Sequence, residues 1–211
     1  MKCEDEPMVK LFRSWVAAGS RSALVAVALA CCAQVEAKSS STYNYLGFNI
    51  DENRTSPDQR QALEAGLREQ IDLVTSLPID PKIAASLQSV PIRIDPTLRE
   101  PGHYDQSGLR LWDKQSPPDN PVLLHELLHA WLSRASGGDR LIIRKAYDTA
   151  VASGRYPRDA YMTSDVAEFF TMTTSVVLWG KAARLPFKRE RVQAEMPDYY
   201  SWIVQRFGLR L

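Results

Sequence analysis

Apolar residues at Leu63, Leu67, Ile71 and Val74 recur every three or four positions, the period of a helix that buries one face, and Thr55-Ser56-Pro57 ahead of them is a helix start. This pattern predicts an amphipathic helix that stops before Pro78. Asp80-Pro81 opens a second, shorter helix ending near Ser89. Residues 45–50 predict a short strand, and residues 90–95 another with Pro91 at its edge. Residues 96–107 are rich in chain breakers and predict a loop, whereas the alternation over residues 108–113 predicts a strand exposed on one side.

Asp119-Asn120-Pro121 predicts the cap and start of a strongly apolar helix running to about Ser136, with Gly137-Gly138 stopping it. Further helices are predicted over about 139–152, 164–178 and 197–207. The order of helices, a few strands and then helices only predicts an α+β domain rather than a doubly wound parallel sheet.

The first residues follow a different pattern. Lys10, Arg13 and Arg21 precede an apolar stretch over residues 23–33, and Val35-Glu36-Ala37 supplies small residues at the spacing a signal peptidase reads. Residues 1–37 are therefore expected to be a signal peptide, and residues 38–211 the mature domain of an exported, periplasmic or secreted protein. Glu4, Asp5 and Glu6 are out of place in a positive leader, which points to Met8 as the true start. Leu29-Ala30-Cys31 offers lipoprotein anchoring as the alternative. The apolar run is shorter than the ~20 residues that cross a bilayer, so no transmembrane span is expected in the mature chain. Cys3, Cys31 and Cys32 all fall in the leader, which excludes thiol catalysis and Cys-ligated zinc from the mature domain.

Composition adds two exclusions. Apolar residues make up 45% of the 211 and charged ones 24%, the balance of a globular protein, and 211 residues fill one domain with little room for a second. A net charge of +1 gives no basic face for nucleic acid or an anionic membrane surface.

The candidate chemistry lies in His125-Glu126-Leu127-Leu128-His129. On a helix, histidines four apart sit on one face about one turn apart, so both imidazoles reach one ion, and the intervening glutamate projects beside them as a base for an attacking water. Leu123-Leu124, Leu127-Leu128 and Ala130-Trp131-Leu132 make this a buried helix, where two histidines and a glutamate are costly unless something pairs with them. One Zn2+ per chain is the expected reason.

Catalytic zinc usually takes three protein ligands. Leu132 and Ala135 stand where a metzincin needs its glycine and third histidine, which rules that class out. Glu168, interrupting the apolar run Val166, Phe169, Phe170, Val176, Val177, is the leading candidate; Asp165, Glu195 and His103 are the others. The bland alternative is a first-turn acid favoured by the helix dipole.

Leu124-His125-Glu126-Leu127-Leu128-His129-Ala130, taken with Tyr161-Met162-Thr163-Ser164-Asp165-Val166-Ala167-Glu168-Phe169-Phe170, resembles the catalytic domain of the anthrax-toxin lethal-factor-like metallopeptidases, a branch of the gluzincins. The resemblance covers roughly residues 103–180. It implies a zincin-like single domain, with a small sheet whose edge strand packs on the metal helix, followed by a helical C-terminal half. It further implies zinc held by His125, His129 and Glu168, Glu126 as general base, and Tyr161, seven residues before Glu168, as oxyanion donor. The substrate would be a peptide or protein, lying along residues 108–113 as an edge strand. One position departs from the family: many members carry an acid four residues after the ligand, where this chain has Met172. Orienting a ligand histidine would then fall to Asp165, Asp119 or a backbone carbonyl. Two other functions fit the same residues: an idle zinc-binding or partner-binding domain, which the presence of Glu126 and Tyr161 disfavours, and a zinc amidase acting on a cell-wall amide.

Overall fold

Strands β1 (Thr42–Tyr45), β2 (Phe48–Asp51), β3 (Ile92–Ile94), β4 (Gly102–Asp105) and β5 (Gly108–Leu111) form one mixed sheet in the order β1-β2-β3-β5-β4. The computed structural model describes residues 42–53, 55–116 and 119–211, all within the unit Ser39–Leu211, so the expected leader lies outside the described residues. Period-two burial selects the inner face: Phe48, Ile50, Ile92, Ile94, Leu109 and Leu111 are buried. β2, β3 and β5 run parallel, while β1 and β4 are antiparallel edges.

The parallel step from β2 to β3 needs a crossover, supplied by α1 (Pro57–Thr75) and α2 (Pro81–Gln88). Both begin with proline in the first turn, and Asp80 caps α2 by accepting from Lys82 N at 2.7 Å. Leu63, Leu67, Ile71 and Val74 form the buried stripe of α1. Then α3 (Val122–Ser133), α4 (Gly137–Ala152), a 3-10 turn (Tyr161–Thr163), α5 (Val166–Trp179), α6 (Arg189–Glu195) and α7 (Pro197–Phe207) complete an α+β fold. Among the described residues no helix is long and apolar enough to cross a membrane.

Burial of α3 and α5 on nearly every side places them at the centre of the core. They pack against each other and, through α3, against β4 and β5. An aromatic cluster fixes the far side of this pair: the Trp131 ring stacks on Phe170 at 5.3 Å and meets Phe207 at 5.0 Å, and Phe169 stacks on Tyr199 at 5.4 Å.

Several expectations are corrected. Residues 45–50 are not one strand but span the β1–β2 hairpin, whose turn is Leu46 and Gly47, both at positive φ. Residues 102–105, expected as loop, form β4, which takes the edge; β5 is therefore interior, and residues 108–113 are not an edge strand. Gly137-Gly138 does not stop α3, which ends at Ser133. Those glycines begin α4, whose capping box joins Ser136 to Asp139. Finally, α6 was not expected, and Pro121 rather than Asp119 occupies the cap position of α3.

Candidate metal centre

His125 and His129 stand one turn apart on α3, and their rings meet edge-on with centroids 4.8 Å apart. Glu168 faces them from the first turn of α5, which Asp165 starts by accepting from Ala167 N at 2.7 Å and Glu168 N at 2.9 Å. The dipole-favoured first-turn acid and the carboxylate aimed at the histidines are thus the same residue, because the start of α5 abuts α3.

Three metal-ligating side chains converge here. His125 Nε2 and His129 Nε2 are 3.1 Å apart, Glu168 Oε2 lies 3.2 Å from His125 Nε2, and Glu168 Oε1 lies 3.3 Å from His129 Nε2. Ligands at about 2.0–2.1 Å around one tetrahedral zinc stand about 3.3–3.4 Å from one another, so the spacing suits a single ion. Two neutral imidazole nitrogens cannot face each other at this distance without a proton or cation between them. Glu168 Oε2 is moreover buried without a hydrogen-bond donor in suitable geometry among the described residues. The donor set therefore fits zinc, and His125, His129 and Glu168 form the metal-competent group among the described residues.

The electrostatics follow from burial and proximity. Burial pushes the His125 imidazolium down, with help from the charges of His129 and Arg184 and against the adjacent Glu168 carboxylate. Burial also acts to lower His129, but the hydrogen bond and charge of Glu168, with Glu126 and Asp165, outweigh it and raise the group. For Glu168 burial acts upward, yet the two histidines hold its carboxyl well below the usual carboxylate range.

Glu126 is 6% exposed. Burial pushes its carboxyl up to about 8, Glu168 and Glu100 add to this, and His129 opposes it. β4 crosses directly over it. A Cβ at Gly102 would lie 2.6 Å from Glu126 Cγ and 2.8 Å from its Oε1, so glycine is what allows edge strand and glutamate to touch. Gly102 carries no motif, and only the closeness of β4 to α3 reveals its role.

Tyr161 sits at the mouth, 43% exposed, with its ring centroid 6.2 Å from that of His125. Its position is set by the 3-10 turn, where Ser164 Oγ donates to Tyr161 O at 2.8 Å. Burial of the phenol, then the nearby Glu168 carboxylate, raise its pKa, so the hydroxyl stays protonated and able to donate. Glu126, His125 and Tyr161 line one cavity of about 210 Å³, together with Glu100, Met172 and Arg184.

The other candidates are elsewhere. His103 lies on β4 between Glu100, at 3.0 Å, and Asp105, at 3.4 Å. Glu195 pairs with Arg191 at 3.1 Å on α6. Asp165 spends its carboxylate on the cap of α5, and Met172 lines the cavity where the family resemblance would have an acid. Thr171, which carried no signal in the sequence, is fully buried with Oγ1 3.4 Å from His125 Nε2. A scan against protein-family models finds none that matches, and searches of the curated proteins and of the solved structures return no match.

Proposed function

We propose that this chain is an exported zinc metallopeptidase of gluzincin type. The observation that carries the reading is the convergence of His125 Nε2, His129 Nε2 and Glu168 within 4.8 Å, with a buried Glu126 and a protonated Tyr161 hydroxyl on the same cavity. A structural zinc site would need neither.

His125, His129 and Glu168 would hold the ion. When bound, zinc supplies Lewis-acid polarisation of a peptide carbonyl and acidifies a water. Glu126, whose ionised form a cation held by the neighbouring ligands would favour against the burial that raises it, would then take the proton of the attacking water and return it to the leaving amine. Gly102 on β4 lies against this side chain and limits its movement. The Tyr161 O–H donates a hydrogen bond to the oxyanion as the carbonyl becomes tetrahedral. The edge available for an extended peptide is β4, which lies over Glu126 and carries an unpaired side.

The test is zinc content by mass spectrometry together with identification of cleaved termini in a complex peptide pool, using the natural chain and Glu126→Gln. The expected outcome is one zinc in both proteins and new termini only with the first. Cleavage undiminished in Glu126→Gln would overturn the reading.

A further inference from the structure

Arg184, an exposed residue, lines the rim of the cavity that holds His125, Glu126 and Tyr161, and no ion pair or hydrogen bond to its guanidinium is found among the described residues. Its Cζ lies 5.2 Å from the Tyr161 ring centroid, so the ring covers one face while the edge donors stay free. Glu100, one of the two acids that line the cavity, is engaged by His103 at 3.0 Å.

Residues 181–188, which carry Arg184, are braced. Lys181 and Lys188 pair as an antiparallel bridge, Ala182 N donates to Phe187 O at 2.9 Å, Phe187 N donates to Arg184 O at 2.9 Å, and Ala183 N donates to Asp119 O at 3.2 Å. Arg189 ties the segment to the end of α5, donating to Val177 O at 2.6 Å and Leu178 O at 3.0 Å. Against this bracing, Phe187 is held at φ 65 with 45% of its surface exposed, a conformation costly for a bulky residue. Beside the metal cavity, and sharing Tyr161 and Arg184 with it, lies a second cavity of about 250 Å³ walled by Ala160, Met162, Leu185 and Phe187. An unpaired guanidinium at the junction of an apolar pocket and a reaction cavity is how a protein reads a carboxylate beside an apolar group.

We propose that Arg184 is a specificity-determining residue that pairs with a carboxylate of the substrate peptide, next to an apolar side chain seated between Leu185 and Phe187. The proposal rests on the hydrolase reading above and names the class of peptide it would take. The carboxylate comes either from an acidic side chain or from a free C-terminus, and both present the same two oxygens to the guanidinium edge.

The test uses the full zinc-loaded chain and fluorogenic peptides matched in pairs: Glu against Gln beside an apolar residue, and free acid against C-terminal amide. We expect kcat/KM to favour the carboxylate member by about tenfold or more, mainly through KM. The ratio should fall towards one in Arg184→Gln, and Arg184→Glu should reverse it in favour of Lys-bearing peptides. A preference confined to the free-acid pair identifies the C-terminus as the source, and one confined to the Glu pair identifies the side chain. Equal ratios in all three proteins overturn the proposal. If no peptide is cut, the hydrolase reading fails separately, and anisotropy of the same peptides on zinc-loaded Glu126→Gln protein decides the matter. Tighter binding of the carboxylate member, lost on adding Arg184→Gln, supports the assignment; indifferent or undetectable binding overturns it.

Discussion

Single residues divide the site into groups that would hold an ion and groups that would act on substrate. Tyr161→Phe removes one hydroxyl from a half-exposed ring, so the fold and metal binding should persist while turnover falls about a hundred- to a thousand-fold, with KM changing much less. Steady-state kinetics alongside zinc content checks this, and near-normal turnover would reduce Tyr161 to a packing residue. Gly102→Ala is the sharper test of geometry. The added methyl would lie 2.6 Å from Glu126 Cγ, too close to be absorbed by rotating the end of the side chain, so the carboxylate must move. Turnover should drop at least tenfold with one zinc retained, and a Gly102→Ala protein of full activity would show that Glu126 is not held against β4. The pair of histidines and Glu126 could be read in the sequence because a buried apolar helix tolerates such residues only with a partner. Thr171 and Gly102 could not, since neither residue type has a motif and both are placed beside the site only by the fold.

At the scale of elements, legibility followed the strength of local signals. The start of α1 at Pro57 and of α2 at Pro81, and both ends of α7, match expectation because proline and a following glycine punctuate the chain irrespective of context. The β1–β2 turn was hidden because Leu46 takes a left-handed conformation that sequence reading reserves for Asn, Asp or Gly. β4 was hidden because Gly102-His103-Tyr104-Asp105 is polar and only half-buried, giving no alternation; its place comes from pairing with β5. The α3–α4 boundary was misread because the glycines outweighed the Ser136–Asp139 capping box. That box also joins two helices. Asp139 is 8% exposed, and its Oδ1 and Oδ2 accept from Arg206 Nε at 3.0 Å and Nη2 at 3.2 Å at the end of α7. Burial alone would raise Asp139, but the bonds from Arg206 and Ser136 lower it below its ordinary 3.8. A lowered acid contributes stability that is complete above the unfolded value and lost as pH falls through the lower folded value. Asp139→Asn should therefore cost about 1–2 kcal/mol at pH 7, given the partial exposure of Arg206, and progressively less below pH 4. Urea unfolding of both proteins at pH 7 and pH 3 measures it, and a difference independent of pH would mean that the charge of Asp139 is idle.

For the whole molecule, the metal-competent group joins the two helices on which the core is built. α3 supplies His125 and His129 and touches β4 and β5, while α5 supplies Glu168 and anchors the aromatic cluster with Trp131, Phe207 and Tyr199. An ion bound only when those helices are docked stabilises the folded state by mass action, about 4 kcal/mol at a thousandfold excess over Kd. For a chain of this length that corresponds to a rise in Tm on the order of 10 °C. Removing zinc with a chelator should lower Tm by that amount and adding it back should restore it. Glu126→Gln should respond as fully as the natural chain, because its carboxylate lies outside the ligand group. His129→Ala and Glu168→Ala should lose most of the response, since each leaves two ligands from the three and, for Glu168→Ala, no ligand from α5 at all. Differential scanning calorimetry of the four proteins with and without zinc separates these outcomes. A Tm indifferent to zinc in the natural chain would remove the metal centre and the hydrolysis built on it, whereas a shift retained in Glu168→Ala would keep the metal and reassign its third ligand.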